Sequence, residues 1–219
     1  MAVKKKTKTQ ILRKIKWTRY LPALVIGVDE VGRGCLAGPV YAAACVLQNQ
    51  SMDRKLTDSK LLSEDRRNII SKQIHAEHLV SIQFASELEI ETINILKASL
   101  LAMKRSVLDL CKKTDMRRYE EVVVLVDGKF VIPDLAICGI KLRQVAVIKG
   151  DLRVSPISAA SIVAKVARDQ FMKELAVAYK GYGFEKHKGY ASPFHRRKIK
   201  EIGPCPVHRK TFGGVKEYL

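Results

Sequence analysis

Apolar positions along the chain fall into short blocks whose spacing changes from one block to the next. Val25-Ile26-Gly27-Val28 forms one apolar run and Val40 to Leu47 a second, separated by a Gly-rich turn. Two strands so tightly connected are predicted to pair as a hairpin. Leu79 to Ala85 alternates as a half-buried strand does, and Ile93, Leu96, Leu100, Met103 and Leu110 then recur at helical spacing within Glu91 to Leu110. Val122 to Val126 and Gln144 to Ile148 are apolar enough to predict two more strands, both buried. Ser155-Pro156 opens a long stretch rich in small residues that runs to Tyr179. Ser at the N-cap and Pro at the first helical position predict a helix there. Beyond Gly181 the chain becomes irregular and basic, and His195, Arg196, Arg197, Lys198 and Lys200 lie in a stretch with room for one more helix.

Three antiparallel strands, a helix, and two further strands joined by helices describe an α/β domain, a mixed sheet with helices on its faces. Residues 23–219 are read as that single domain, and residues 1–22 as a basic segment in which Ile11, Leu12, Ile15 and Trp17 recur at loosely helical spacing. A basic arm or a short docked helix fits this segment. Sites in such sheets gather where strand ends and their loops converge.

Charge narrows the function. Lys and Arg number 40 against 22 Asp and Glu, a net charge of +18 that solubility does not require and that points to a polyanionic partner. Nucleic acid is favoured over membrane, because no apolar run approaches the ~20 residues that span a bilayer. Lys4, Lys5 and Lys6 are not followed by the apolar core of a secretion signal, so a cytoplasmic protein is expected. The five cysteines, Cys35, Cys45, Cys111, Cys138 and Cys205, contain no CxxC pair, which argues against a zinc site or a disulfide framework. Cys45, inside an apolar run, is expected to be a small core residue.

Against this basic background, the acids at the ends of apolar runs stand out. Asp29 and Glu30 close the first strand, Asp127 closes the Val-rich one, and Asp151 follows the last. Two carboxylates about 4 Å apart repel by roughly 4 kcal/mol at an effective dielectric of about 20. A convergent cluster therefore calls for protons or a cation, and an all-oxygen donor set suits Mg²⁺ or Mn²⁺. Two such ions activate a water and stabilise the leaving oxygen of a phosphodiester.

The motifs then carry a resemblance. Asp29-Glu30-Val31-Gly32-Arg33-Gly34 with Ala37-Gly38-Pro39-Val40 resembles the opening signature of the type HII ribonucleases. Thr57-Asp58-Ser59-Lys60, Val126-Asp127-Gly128, Lys149-Gly150-Asp151, Ala159 to Asp169 and His187-Lys188-Gly189-Tyr190 resemble the family's further blocks in the same order. The likeness spans Leu24 to Phe212. It implies a ribonuclease H-like fold, a mixed five-stranded sheet flanked by helices with a C-terminal helical segment. It also implies Asp29, Glu30, Asp127 and Asp151 as catalytic metal ligands for Mg²⁺ or Mn²⁺. The implied substrate is an RNA–DNA hybrid or a DNA duplex containing ribonucleotides, cut 5′ of the ribonucleotide to leave 3′-hydroxyl and 5′-phosphate ends. Gly32, Arg33 and Gly34 resemble a loop that reads the ribose 2′-hydroxyl, with Tyr190 packed on the sugar. Ser59, Lys60, Ser161, Lys165 and Arg168 lie in blocks that line the nucleic acid, where phosphate contact is implied.

Two positions depart from the commonest family pattern: Leu61 where a second Lys often follows, and Ser192 where Thr is frequent after the Gly-Tyr pair. A type III ribonuclease H shares the acids but usually carries a further N-terminal domain and lacks the Gly-Arg-Gly string. A junction resolvase or transposase would also cluster acids, without that string and Tyr190. A purely structural nucleic-acid binder would gain nothing from acids that repel phosphate. A monomer is expected.

Overall fold

The computed structural model describes residues 14–53, 56 and 62–219. The chain runs through β1 (Leu24–Val31), β2 (Val40–Val46), α1 (Glu64–Glu77), β3 (Leu79–Ala85), α2 (Glu87–Lys112), β4 (Glu121–Asp127) and β5 (Lys141–Val147). It ends with α3 (Gly150–Arg153), α4 (Ser155–Ala178), α5 (Phe184–His187) and α6 (Pro193–Ile202). The strands form one mixed sheet in the order β3-β2-β1-β4-β5. β1, β2 and β3 pair antiparallel, whereas β4 pairs parallel with both β1 and β5. The predicted α/β class and mixed five-stranded sheet are what is observed.

The period-2 alternation of β1 and β4 sorts their side chains between two cores. Leu24, Ile26, Val28, Val122, Val124 and Val126 pack with Ala98, Ala102, Met103 and Val107 of α2. Val25, Val123 and Leu125 pack with Ile157, Ala160 and Ala164 of α4. Each fully buried Val, Leu or Ile contributes roughly 1.5–3 kcal/mol, so the central strands anchor the domain. Helix α4 comes close because Gly27 lies beneath its first turn, where a Cβ would stand 2.2 Å from the Pro156 carbonyl carbon. The same alternation puts Asp29 and Asp127 on the α4 side, one residue beyond the Val28–Val126 pair.

Several expectations are corrected. β5 is an edge strand in which only Val147 is buried, since helices do not cover its outer positions as they cover β4. Ser155 is the first helical residue of α4 rather than its cap; Val154 holds the cap position and makes no side-chain bond. Helix α1 escaped the periodicity reading because it buries only Ile70, Ser71 and Ile74. Its start is set by Ser63, whose side chain accepts from the Arg66 amide. Helix α2 begins at a Ser86–Glu89 capping box and breaks at Asn94, whose Oδ1 accepts from the Leu96 and Lys97 amides. Of the two forms expected for the N-terminal segment, an arm or a short docked helix, the described part takes the second, with a short 3-10 helix at Trp17–Tyr20. Trp17 is buried in the α4-side core and Ile15 packs against it. Residues 1–13 lie outside the described part.

All five cysteines are free thiols, and Cys45 is fully buried in the core. Among the described residues no helix is long and apolar enough to cross a membrane.

Candidate active site

The parallel pairing of β1 with β4 brings Asp29 and Asp127 side by side at the carboxyl ends of the two central strands. Asp151 joins them from the first turn of α3, directly after β5. The Gly150 amide donates to Asp127 Oδ1 at 2.6 Å and so ties the α3 turn to β4. Ser158 on α4 donates to the Asp151 carbonyl and fixes the turn from the other side. Glu30 follows Asp29 on β1, and its amide donates to Asp29 Oδ1 at 2.7 Å. All four carboxylates line a cavity of about 120 Å³, together with Ser161, Lys165 and Tyr190.

These acids are held in electrostatic conflict. Burial pushes the Asp29 carboxyl well above its ordinary value, and the charges of Glu30, Asp127 and Asp151 add to the effect. A hydrogen bond with Ser161 opposes it. Glu30 is also raised by burial, against the pull of Arg33, whose guanidinium lies 3.2 Å from Glu30 Oε1. Lys165 does not relieve the cluster, because its ammonium is 2.6 Å from Asp169 and its charge is already compensated. Among the described residues no three Asp, Glu, His or Cys side chains are already closed into a metal cage. What the cavity offers is a small volume, an all-oxygen donor set and mutual repulsion, and this fits a hard divalent cation.

The remaining sequence candidates divide sharply. Tyr190 stands 41% exposed at the cavity rim, with the Lys165 ammonium 5.5 Å from its ring centroid, so it is available to a ligand. Arg33 and Gly34 are exposed, whereas Gly32 is buried. At φ +95°, Gly32 would place a Cβ 2.2 Å from Arg168 Nε, so glycine is demanded here by packing within the chain. At Gly34 a Cβ would meet nothing within 4 Å.

Arg168, expected to grip phosphate, is wholly buried. Its guanidinium donates to the carbonyls of Pro39, Lys188 and Ala37 at 3.1, 2.8 and 3.1 Å. All of its nitrogens are thereby committed to holding loops together, and none faces solvent. Ser59 and Lys60 lie outside the described residues.

Sequence reasoning missed Arg209, which is equally buried and donates to the carbonyls of Gly32, Arg33 and Gly38. No periodicity marks it, since it sits in the irregular C-terminal stretch. Burial lowers it to about 10.

A family model described as ribonuclease HII matches residues 26–215. The chain belongs to the ribonuclease HII family. The ribonuclease HII of Pelagibacter ubique is 47% identical over 197 residues, covering 90% of this chain and 99% of that protein. That of Albidiferax ferrireducens is 48% identical over 197 residues, covering 90% and 89%. Among solved structures, the ribonuclease HII of Archaeoglobus fulgidus, determined in complex with PCNA, superposes with a TM-score of 0.68 at 28% identity over 87% of this chain and 95% of that one. Ribonuclease HIII from Bst, in complex with Mn²⁺, shares the fold at 20% identity with a TM-score of 0.67, covering 90% of this chain and 69% of that one. The protein is thus a ribonuclease H, an enzyme of RNA–DNA hybrids, and its carboxylate cavity lies at the carboxyl end of the sheet's parallel strands.

Proposed function

We propose that this ribonuclease cuts the RNA strand of hybrids and also cuts 5′ of a single ribonucleotide embedded in duplex DNA, leaving 3′-hydroxyl and 5′-phosphate ends. The observation that carries the reading is the gathering of Asp29, Glu30, Asp127 and Asp151 in one small cavity with the exposed Tyr190 at its rim. The four carboxylates would hold two divalent ions, Mg²⁺ or Mn²⁺. Such ions supply a water nucleophile at neutral pH and stabilise charge on the leaving oxygen.

The chain's own residues do the rest. Asp127 is oriented by the Gly150 amide and Asp29 by the Glu30 amide and Ser161, so the donor oxygens are fixed before substrate arrives. Arg33 beside Glu30 opposes the effect of burial on that carboxylate and presents a cation at the exposed edge of the loop. Gly32, Arg33 and Gly34 are assigned to the ribonucleotide's 2′-hydroxyl and phosphate, Tyr190 to its sugar, and Lys165 and Ser161 to the strand at the cavity rim. A site built to bond a hydroxyl leaves its own groups unpaired when the hydroxyl is missing, which is how one oxygen yields strong selectivity.

The deciding experiment incubates the purified protein with a DNA duplex carrying one ribonucleotide, a matched all-DNA duplex and a long hybrid, with Mg²⁺, with Mn²⁺ and with chelator, and maps the ends. Cleavage 5′ of the ribonucleotide that requires metal and spares all-DNA is expected. Cleavage of the hybrid alone would confine the function to hybrids.

A further inference from the structure

Gly32–Gly34 and Tyr190 come from distant parts of the chain and meet through residues 35 and 36, which follow the loop. Both are held by the C-terminal stretch. Residues 35–38 are sandwiched in a short ladder. On one side Cys35 bridges Tyr190 and the Leu36 amide donates to the Gly189 carbonyl. On the other, Ala37 bridges His208 and the Arg209 amide donates to the Leu36 carbonyl at 2.8 Å.

Side chains extend this hold. The Arg209 guanidinium donates to the Gly32 carbonyl at 2.7 Å and to the Arg33 carbonyl at 2.9 Å. In a trans peptide the N–H points opposite to the C=O. Drawing these two carbonyls inward therefore turns the Arg33 and Gly34 amides outward, and neither amide has a partner among the described residues. Arginine suits the task because its rigid fork engages several acceptors at once.

His208 reaches Tyr190 through a relay whose polarity is fixed at both ends. The Tyr190 carbonyl can only accept, so His195 Nδ1, 2.9 Å away, carries a proton. In a neutral ring His195 Nε2 is then an acceptor, and His208 Nε2, at 3.1 Å, must donate to it. That leaves His208 Nδ1 to accept from the Cys205 amide at 2.9 Å. Both imidazoles are wholly buried and fully bonded; among the described residues only His78 Nε2 is a buried side-chain nitrogen or oxygen without a partner.

We propose that the adjacent pair His208 and Arg209 is the positioning element for ribonucleotide recognition, Arg209 aiming the amides of the Gly32–Gly34 loop and His208, through His195, setting the backbone of Tyr190. The proposal rests on the reading of that loop and Tyr190 as the ribonucleotide contacts. Neither residue touches substrate; each acts through backbone that does.

Two substitution pairs test it. Arg209→Lys keeps the charge but offers a single point donor. His208→Phe fills the volume without the relay, whereas His208→Gln keeps one donor and one acceptor. Three measurements are taken on full-length protein: hydrogen exchange at the bonded amides of Cys35, Leu36, Tyr190 and Ser192, kcat and KM on a duplex with one ribonucleotide, and thermal unfolding. Arg209→Lys and His208→Phe should speed exchange at their own segment and lower kcat about tenfold or more, with KM changed less than about threefold, as expected when a contact is misplaced rather than lost. His208→Gln should stay within about threefold of the parent. If Arg209→Lys does not fold, the Phe and Gln variants carry the test. Unchanged exchange in folded variants would overturn the positioning role and leave the reading of the loop intact. Faster exchange with undiminished kcat would overturn the proposal through the reading beneath it, since the loop would be held by these residues but not used.

Discussion

The carboxylate cavity and the arginine–histidine layer that shares Tyr190 with it treat buried polarity in opposite ways. In the cavity, Asp29 is forced upward by burial and by three neighbouring acids, and Lys165, which lines it, is already paired with Asp169. In the layer, Arg168 and Arg209 are buried without a carboxylate partner among the described residues, yet their donors are met by main-chain carbonyls. His195 and His208 are likewise satisfied by each other and by backbone. One region is left unresolved, so that a cation gains by entering it; the other is resolved, so that the loops above it stay put. Function needs the first and precision needs the second.

The sharpest way to break this contrast is Asp127→Asn. Losing one charge should lower kcat by about 10³-fold, roughly 4 kcal/mol, while duplex binding persists. Without metal, the same change should leave stability unchanged or slightly higher, because it removes a repulsion. Near-normal cleavage under Mg²⁺ would remove Asp127 from the mechanism.

Tyr190, on the border, should separate recognition from affinity. Tyr190→Ala is expected to cut cleavage at a single ribonucleotide about 100-fold while weakening binding to the matched all-DNA duplex by less than about threefold, since phosphate contacts elsewhere persist. Equal losses in both assays would make it a general packing residue.

The loop glycines sharpen the comparison through stability. Gly32→Ala must displace Arg168 and strain a positive φ, and should cost roughly 2–4 kcal/mol in urea unfolding. Gly34→Ala has open space and should cost less than about 0.5 kcal/mol, so any activity it loses reports on substrate approach.

The histidine layer predicts a pH response. His195 and His208 are pushed down to about 4, chiefly by burial. Unfolded, each takes up a proton near its ordinary value of about 6.5. Stability from this pair is therefore complete above about pH 6.5 and is lost as pH falls toward 4, by roughly 3 kcal/mol for each ring. Asp29, raised in the folded chain, works in the opposite sense, so the comparison is with His208→Gln, which should flatten the decline. An unchanged profile in that variant would place the titration elsewhere.

The smallest effect is expected from residues 2–13. Removing Lys4, Lys5, Lys6, Lys8 and Arg13 should weaken duplex binding at low salt and flatten the dependence of log K on log salt. A shifted cleavage position with an unchanged salt slope would show that this segment reads the substrate.

The central fold was legible because its signals are local. Val25 to Val28 and Val122 to Val126 declare buried strands by composition alone, and the acids closing those runs are conspicuous in a chain of net charge +18. Helix α1 was not legible, since three buried positions in fourteen residues leave no clear stripe. Edge strand β5 read as buried because the pattern reports apolar residues and not which neighbours cover them. The roles of basic residues were the least legible. Arg168 and Lys165 lie in the same block of α4 and look alike in sequence, yet one lines the cavity and the other is sealed beneath a loop. The sequence by itself determined which strands form and which carboxylates close them, because strand patterning and charge contrast are properties of neighbouring residues. Only the tertiary structure decided that Arg168 and Arg209 serve loops rather than phosphate, and that His208 is bonded through His195 to Tyr190. A buried donor's role is set by the carbonyls that the folded chain brings to it, and those carbonyls come from segments as far as 177 residues away.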